Sequence, residues 1–385
     1  MVESIRMIKK LLITILLFAA QISAQIEYDF SGYVVNMPIY QPAADLGFTN
    51  LKDQTFDLTR LRLRPTFYIG NNSRFNLEYE INTLYLSESN LGLFNLNSVS
   101  TRRQLGKLNW NIVEENNFIV THFIDRLTFR QDFDFGNIEV GRQRISWGTG
   151  RIWNPTDLFN PINPANFAKI EKDGADAVSA MFYLGNFTDL NIVYNPTDNF
   201  GSNYGFRFRT NFSEYDVSLI GGYFDKRIVT GLDFAGNLFD AGVRGEGILS
   251  FSKINGDDNF VKFILGTDYQ FTPELYAVIE YHFNGEGKSN TLEYELLRLV
   301  NGEIINLNKN YLYCAVDYLI TPLFKVLLMN NINLNDKSGY AGINGNYSVT
   351  EDFYFSCGAQ TSYGKELSEF WYYPNSYYLQ VEYYF

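Results

Sequence analysis

Charged side chains at two-residue spacing are the first feature of the sequence that could act on a ligand or solute. Arg60, Arg62 and Arg64 alternate with apolar residues, and Glu78 and Glu80 follow in the next segment with the same spacing. Residues two apart lie on one face of a β-strand. Opposed rows of guanidinium and carboxylate groups could impose a field on passing solutes, or could pair with one another and brace a wall. The sequence leaves both interpretations open.

The same alternation continues along the chain. It predicts a set of charged residues that face water inside a closed structure: Arg60, Arg62, Arg64, Glu78, Glu80, Arg126, Arg130, Arg207, Arg209, Arg244, Glu246, Asp268 and Glu280. Each arginine would cost about 2–4 kcal/mol near the middle of a lipid bilayer, so the set favours an aqueous interior. Arg142 and Arg144 share parity with apolar Ile138 and Val140, which leaves their direction open unless a bulge intervenes.

Catalytic, cofactor and metal chemistry finds little support in the sequence. The chain has 2 His, His122 and His282, too few for a histidine-rich metal site. No serine stands in a G-x-S-x-G setting, and no glycine-rich phosphate-binding spacing opens a helix. We therefore expect no enzymatic activity and no cofactor. The net charge of -12 argues against a nucleic-acid partner.

The N-terminus predicts a secretory signal peptide over residues 1–24. Arg6, Lys9 and Lys10 precede a short apolar run that ends at the small residue Ala24, and the run is too short to span a bilayer as a helix. Removing these residues takes away three basic and one acidic side chain, which changes the net charge from -12 to -14. We expect residues 25–385 to form one domain without a helical membrane span.

The mature chain predicts an all-β fold, a transmembrane antiparallel up-and-down barrel of about 18 strands, with 16 as the alternative. Aromatic residues make up 17% of the chain, which suits strands and interfacial girdles. Predicted strands include 57–69, 74–86, 121–133, 137–147 and 376–385. Long connections at 37–56, 87–120, 148–174, 286–309 and 364–375 alternate with short turns, apart from brief connections near 225 and 335–337. We expect the short turns and both termini on the periplasmic side.

The segment 141–164 is the most individual part of the sequence, with two tryptophans and three prolines. It is too apolar for a solvated loop tip, so we expect residues 148–170 to fold inward and narrow the lumen. The alternative is a loop that caps the rim or packs at a subunit contact. The predicted constriction residues are Trp147, Arg151, Trp153, Asn154, Asp157 and Phe159.

The G-R-Q, W-G and N-P elements of this segment resemble those of a group of porin-like outer-membrane barrels of Gram-negative-type bacteria. Leu379, Val381, Tyr383 and the terminal Phe385 resemble the carboxy-terminal assembly signal of outer-membrane barrel proteins. The two resemblances imply insertion into outer-membrane lipid by the barrel-assembly machinery. The group also suggests a homotrimer, although no seam in the sequence predicts one.

The leading functional hypothesis is a porin, a passive channel for small hydrophilic solutes, including anionic ones. Two alternatives remain open at this point. One is an export or surface-assembly conduit for polysaccharide or lipid, and the other is a non-conducting barrel whose external loops bind ligands.

Overall fold

The computed structural model describes residues 26–45, 50–87, 102–160, 171–198, 201–253, 258–300 and 303–385. The predicted signal peptide, residues 161–170 of the predicted constriction loop and residues 88–101 of the long 87–120 connection lie outside these ranges.

Eighteen strands form one closed antiparallel barrel, which confirms the predicted fold class and strand number. The strands of the wall are β1 (Ile26–Gln41), β4 (Gln54–Ile69), β5 (Ser73–Leu86), β7 (Phe118–Phe133), β8 (Gly136–Gln143), β9 (Ala175–Tyr183), β10 (Asp189–Asn195), β11 (Asn203–Phe212), β12 (Tyr215–Phe224), β13 (Arg227–Leu238), β14 (Ala241–Ser252), β15 (Phe260–Gln270), β16 (Leu275–Asn284), β17 (Asn310–Thr321), β18 (Phe324–Asn333), β19 (Gly339–Ser348), β20 (Phe353–Tyr363) and β21 (Ser376–Tyr384).

Three further strands lie outside this ring. The short strands β2 (Ala44–Asp45) and β3 (Asn50–Leu51) pair with each other, and β6 (Asn109–Glu115) pairs with β7. A five-residue helix, α1 (Leu296–Val300), and the 3-10 segments Thr291–Glu293 and Glu369–Tyr372 lie in the loops. Within the described ranges, no helix is long and apolar enough to span a membrane.

Strand alternation gives the barrel wall an inward and an outward face. On β4 the even-numbered residues from Gln54 to Arg62 are buried, with Phe56 and Leu58 in an apolar cluster towards the loop end and Arg60 and Arg62 in a charged region below it. The outward odd-numbered residues are polar from residue 55 to 59 and apolar from Leu61 towards the short-turn end. Around the rest of the barrel the outward positions carry exposed apolar side chains, among them Ile192, Leu219, Leu232, Leu249, Leu265, Ile279, Leu328 and Ile343. An apolar band outside and a polar lumen are the pattern of barrels that lie in lipid.

Long and short connections alternate around the ring, as the sequence predicted. One end of the barrel, here called the short-turn end, carries the turns at 70–72, 134–135, 213–214 and 239–240. The other, the loop end, carries the connections at 87–117, 144–174, 285–309 and 364–375. The brief connections at 225–226 and 334–338 also lie at the loop end, where the sequence had placed its exceptions.

The wall differs in height around the ring. β1, β4 and β7 have 16 residues each, whereas β8 has 8 and β10 has 7. The predicted strand 137–147 was too long, because the chain leaves the wall after Gln143. On the loop-end side of β8, the wall is continued by β6 and by residues 103–108. These residues accept backbone hydrogen bonds from β7 and β9. The sequence had predicted a loop at β6, within the connection 87–120.

The barrel closes where β1 meets β21. Gly32 and Phe385 exchange backbone hydrogen bonds of 2.8 and 3.1 Å, and the Phe385 ring lies 5.9 Å from that of Phe30. An added Cβ at Gly32 would lie 2.7 Å from the Phe385 ring, so glycine is needed for this closure.

Candidate functional site

The connection between β8 and β9 crosses the interior of the barrel. The structure describes residues 144–160 and 171–174 of this connection, and we call residues 144–160 the inserted segment. Its backbone reaches Glu246 on β14 and Glu280 on β16, near the middle of both strands. Five strands separate β8 from β14 around the wall, and seven separate it from β16. A segment that contacts both must therefore pass through the lumen.

Two wall carboxylates hold the inserted segment by its backbone. Glu246 accepts N–H groups from Thr149 at 2.5 Å and from Gly150 and Thr156 at 3.2 Å. Glu280 accepts the next three N–H groups in the chain, those of residues 151, 152 and 153, at 2.8, 3.1 and 2.8 Å. Charge-assisted hydrogen bonds of this kind are stronger than neutral ones. The sequence predicted both glutamates as lumen-facing carboxylates opposite arginines; their use as backbone anchors corrects this prediction.

Aromatic side chains fix the inserted segment to the wall on either side of these anchors. Trp147 donates its indole N–H to Asn191 on β10 at 3.1 Å, and its ring meets Phe159 edge-on at 5.0 Å. Trp153 stacks on His282 of β16 with ring centroids 5.1 Å apart. Trp147, Trp153 and Phe159 are all buried. The aromatic side chains of the segment are therefore buried against the wall, unlike those of a solvated loop.

Polar contacts within the segment support the same path. Asp157 is buried, accepts the Lys172 ammonium at 2.5 Å and accepts the backbone N–H of Asn160 at 3.1 Å. Burial raises the pKa of the Asp157 carboxyl above its ordinary value, and Lys172 offsets only part of this effect. The Asn154 carbonyl accepts the N–H of Asp157 at 3.0 Å. Gly148 has a φ of 99°, a conformation that favours glycine.

A buried charge cluster lies on the opposite wall, on β4, β5 and β7. The Arg62 side chain is 2% exposed and is ringed by four carboxylates. It contacts Glu78 at 2.5 Å, Glu80 at 2.7 Å, Glu171 at 3.3 Å and also Asp125. Here the predicted rows of arginines and glutamates pair with each other.

Three further arginines complete this cluster. Arg60 pairs with Glu80 at 2.9 Å, Arg126 pairs with Asp125 at 2.7 Å, and Arg64 pairs with Glu171. Four guanidinium groups thus match four carboxylates. The cluster also holds the end of the β8–β9 connection that leads into β9. Glu171 binds Arg64, and the backbone N–H of Gly174 donates to Asp125.

Asp125 and Glu171 are the members of the cluster that the sequence analysis missed. Regular alternation on β7 would direct Asp125 outward if Arg126 points inward. The pairing of β5 with β7 shifts between Glu78 and Tyr79, where a bulge leaves Asp125 and Arg126 both buried. A carboxylate at a lipid-facing position would be costly, so the Asp-Arg pair was a signal of this bulge.

A second group of charges lines β10, β11 and β13–β15 beneath the inserted segment. Arg209 pairs with Asp189 at 2.7 Å. Asp268 forms ion pairs with Arg244 and, at 3.7 Å, with Arg151 of the inserted segment. Nε of Arg207 is buried without a hydrogen-bond partner among the described residues. Arg130 pairs with Asp132 near the short-turn end.

The remaining sequence candidates lie apart from these groups. Arg142 is buried and forms hydrogen bonds of 2.8 and 2.9 Å with Asp176 on the neighbouring strand, whereas Arg144 is exposed. No register shift accompanies Arg142; the alternation instead breaks at Gly141, whose φ is 121°. The last strand directs Leu379, Tyr383 and Phe385 outward, each about half exposed, and Val381 shares their parity.

One group of carboxylates has the spacing of a metal site. Ligand atoms of Glu78, Asp125 and Glu171 lie within 4.8 Å of one another. Nη2 of Arg62 contacts all three carboxylates and fills the position that a cation would take. His282 contacts the rings of both Trp153 and Tyr311, and His122 contacts the Tyr79 hydroxyl at 2.8 Å, so neither imidazole joins this group.

Comparison with known proteins identifies the fold. No family model and no curated protein matches the chain. Among solved structures, it is similar to OccK5 (OpdH) of Pseudomonas aeruginosa, with a TM-score of 0.58, 9% identity, and coverage of 92% of this chain and 98% of that one. The outer-membrane protein OpdK from Pseudomonas aeruginosa has a TM-score of 0.56 and 9% identity, with coverage of 93% of this chain and 98% of that one. OprD from the same organism has a TM-score of 0.54 and 10% identity, with coverage of 95% and 96%. The chain therefore has a porin-like barrel fold.

Proposed function

We propose that this protein is an outer-membrane channel through which small hydrophilic solutes diffuse passively. The observation that carries the proposal is the inserted segment, which two wall carboxylates hold across the interior of a barrel with a charged, polar lining. A segment anchored at mid-height narrows a passage without sealing the barrel at its rim. In this account Trp147, Arg151, Trp153, Asn154, Asp157 and Phe159 belong to the constriction.

The placement of polar and apolar groups supports a membrane location. The outward positions of the strands are apolar, and the arginines of the inward rows would be costly in lipid. Residues 1–24 would direct secretion and be removed. The short-turn end would then face the periplasm, and the loop end would face the exterior. The outward aromatic residues at the end of β21 would be read by the barrel-assembly machinery.

Solutes that carry a negative charge should pass preferentially. In three lumen pairs the guanidinium is more exposed than its carboxylate: Arg209 and Asp189 are 47% and 9% exposed, Arg151 and Asp268 are 51% and 12%, and Arg64 and Glu171 are 32% and 22%. Two other lumen pairs show the reverse: Arg130 and Asp132 are 23% and 41% exposed, and Arg62 and Glu78 are 2% and 26%. Water in the lumen therefore meets more cationic than anionic surface along the first three pairs.

Assembly as a homotrimer, which is frequent among porins, belongs to the same proposal. It would appear as a three-subunit species after chemical cross-linking of the protein in native membranes, whereas a single-subunit species would exclude it.

Liposome swelling tests the proposal. The refolded protein is placed in vesicles, and the rates of entry of anionic, neutral and cationic solutes of equal size are compared. We expect entry of all three classes, fastest for the anionic one. Vesicles that contain folded barrels but swell no faster than empty vesicles would contradict a passive channel.

A further inference from the structure

We propose that Glu369 is a pH-sensitive latch that fastens three connections at the loop end to one another and, through Tyr311, to the inserted segment. The inference goes beyond passive diffusion, because it gives the channel a condition under which its loop-end cover loosens.

Glu369 joins three separate parts of the chain. It lies on the 3-10 segment of the β20–β21 loop and is buried. Its carboxylate accepts the backbone N–H of Leu307 in the β16–β17 loop at 2.9 Å and the Asn333 amide, at the end of β18, at 2.8 Å. It also accepts the hydroxyl of Tyr311 on β17. Its own N–H donates to Asp336, in the β18–β19 connection, at 2.8 Å.

Of the side chains that the structure describes, no Lys, Arg or His forms a hydrogen bond or ion pair with this carboxylate. The titratable side chains that interact with it are Tyr311, Tyr294 and Asp336, and Tyr294 donates its hydroxyl to Asp336 at 2.8 Å. Glu286 in the β16–β17 loop gives the contrast, because it binds Lys262 at 2.6 Å and Arg298 at 2.5 Å. Among the described residues, Glu369 is a buried loop carboxylate held only by neutral donors.

The two carboxylates respond to pH in different ways. Burial, reinforced by Asp336, raises the pKa of Glu369 from 4.5 to about 7, although its hydrogen-bond donors offset part of the effect. Burial would also raise the pKa of Glu286, but Lys262 and Arg298 overcome it and hold that pKa at about 2. Glu286 thus stays ionised from pH 5 to 9, whereas Glu369 ionises within that range.

The sign of the effect follows from linkage. A carboxyl whose pKa is raised by packing favours the packed state most strongly below its ordinary pKa of 4.5. That stabilisation declines as the pH rises through about 7 and is lost above it. The packed loops are therefore most stable under mildly acidic conditions and weaken under alkaline ones.

Tyr311 carries the change to the inserted segment. Its hydroxyl binds Glu369, and its ring lies 5.9 Å from Trp153 and 6.0 Å from His282. Phe370, the next residue after Glu369, lies in the same apolar cluster as Trp153 and Tyr311, and its ring meets Tyr340 at 5.3 Å. Release of the latch removes one support of the ring on which Trp153 packs.

Hydrogen exchange and single-channel recording on the refolded full barrel test the inference. Glu369→Gln keeps the shape and removes the ionisation, and Glu366→Gln is the matched control because Glu366 is exposed on the same loop. After correction for intrinsic exchange rates, amides of residues 364–375 should lose protection between about pH 5.5 and 8.5 in the unmodified protein and in Glu366→Gln. The loss should be tenfold or more, up to on the order of a hundredfold, and should be absent in Glu369→Gln.

Single-channel current should follow the same pattern, with more frequent fluctuations above about pH 7 in the unmodified protein and in Glu366→Gln only. Identical exchange profiles in the unmodified protein and Glu369→Gln would overturn the latch. A pH-dependent loss of protection with unchanged current would overturn the link through Tyr311. A barrel that is silent at every pH would contradict the proposed channel, and the exchange comparison would still decide the latch.

Discussion

The carboxylate of Glu280 accepts the backbone N–H of Trp153 at 2.8 Å, although seven strands of the wall separate Glu280 from the strand after which the Trp153 segment begins. This bond and the five other backbone hydrogen bonds to Glu246 and Glu280 place the middle of the β8–β9 loop against the far wall. Because backbone N–H groups are the donors, the contact depends on the path of the loop and little on its side chains. The wall carboxylates are therefore the groups through which the constriction can be tested.

Loss of both anchors should widen the passage. Glu246→Gln with Glu280→Gln removes the charges that six backbone N–H groups bind and places amide donors opposite them. Each substitution should weaken the anchoring by about 1–3 kcal/mol, and the double variant should show a larger and noisier single-channel conductance. Glu274→Gln, at an exposed turn next to β16, is the control. Conductance equal to that of the control would mean that the anchors do not set the constriction.

Arg62 should be essential to the stability of the barrel. In Arg62→Met four carboxylates lose the cation that they share, and removal of one partner from a buried ion-pair network costs about 3–5 kcal/mol. Denaturant unfolding in detergent, followed by the loss of β-structure, measures the change. Arg64→Met, at a side chain that is 32% exposed, should cost clearly less. Equal stability of the two variants would contradict the assignment.

The same variant gives an independent test of the geometry of this cluster. With Arg62 removed, Glu78, Asp125 and Glu171 keep the spacing of an oxygen-ligand site. Calcium should then restore part of the lost stability of Arg62→Met and leave the unmodified protein unchanged. No difference between the two proteins in calcium would show that the carboxylates do not converge as the structure places them.

Ion preference should depend on the exposed arginines. Arg151→Ala with Arg209→Ala removes the two most exposed guanidinium groups of the lumen pairs, so the reversal potential in a salt gradient should shift toward cation preference. Lys226→Ala with Lys365→Ala, two exposed lysines in loop-end connections, is the control for the same change of two units in total charge. A reversal potential that does not move, or that moves equally in the control, would remove the basis for anion preference.

Closure of the barrel should require Phe385. Deletion of Phe385 removes two backbone hydrogen bonds to Gly32 and the ring contact with Phe30. We expect a lower yield of folded barrel and a lower unfolding temperature, measured by the heat-dependent shift in gel mobility. Phe239→Ala changes an aromatic residue that is 91% exposed in a turn and should have little effect. Equal yields for the two variants would argue against Phe385 as part of an assembly signal.

The strands and their order could be predicted from the sequence because residue parity on a strand fixes which face a side chain takes. The alternation of Arg62 with Leu61 and Leu63 indicated which residues of β4 face inward. The alternation of long and short connections predicted that consecutive strands pair around the barrel. The apolar character of the segment around Trp153 also indicated that it packs against other parts of the protein.

Parity could not predict the features that break it. The bulge at Asp125 shifts the register by one residue and so reverses which residues of β7 face inward. β8 ends at Gln143 because the chain turns into the lumen there. The partners of Glu246 and Glu280 are backbone groups of a distant loop, which leave no mark in the pattern of either strand. Those features depend on tertiary contacts, and only the folded chain shows them.

Single-channel conductance of the refolded mature protein in a planar bilayer decides whether this barrel is a channel. We expect discrete, steady current steps, an excess of anion over cation flow in a salt gradient, and larger steps in the Glu246→Gln, Glu280→Gln variant. Silence from a barrel whose folding has been verified by gel mobility would contradict this expectation, because a lumen that passes no ions is not a diffusion channel.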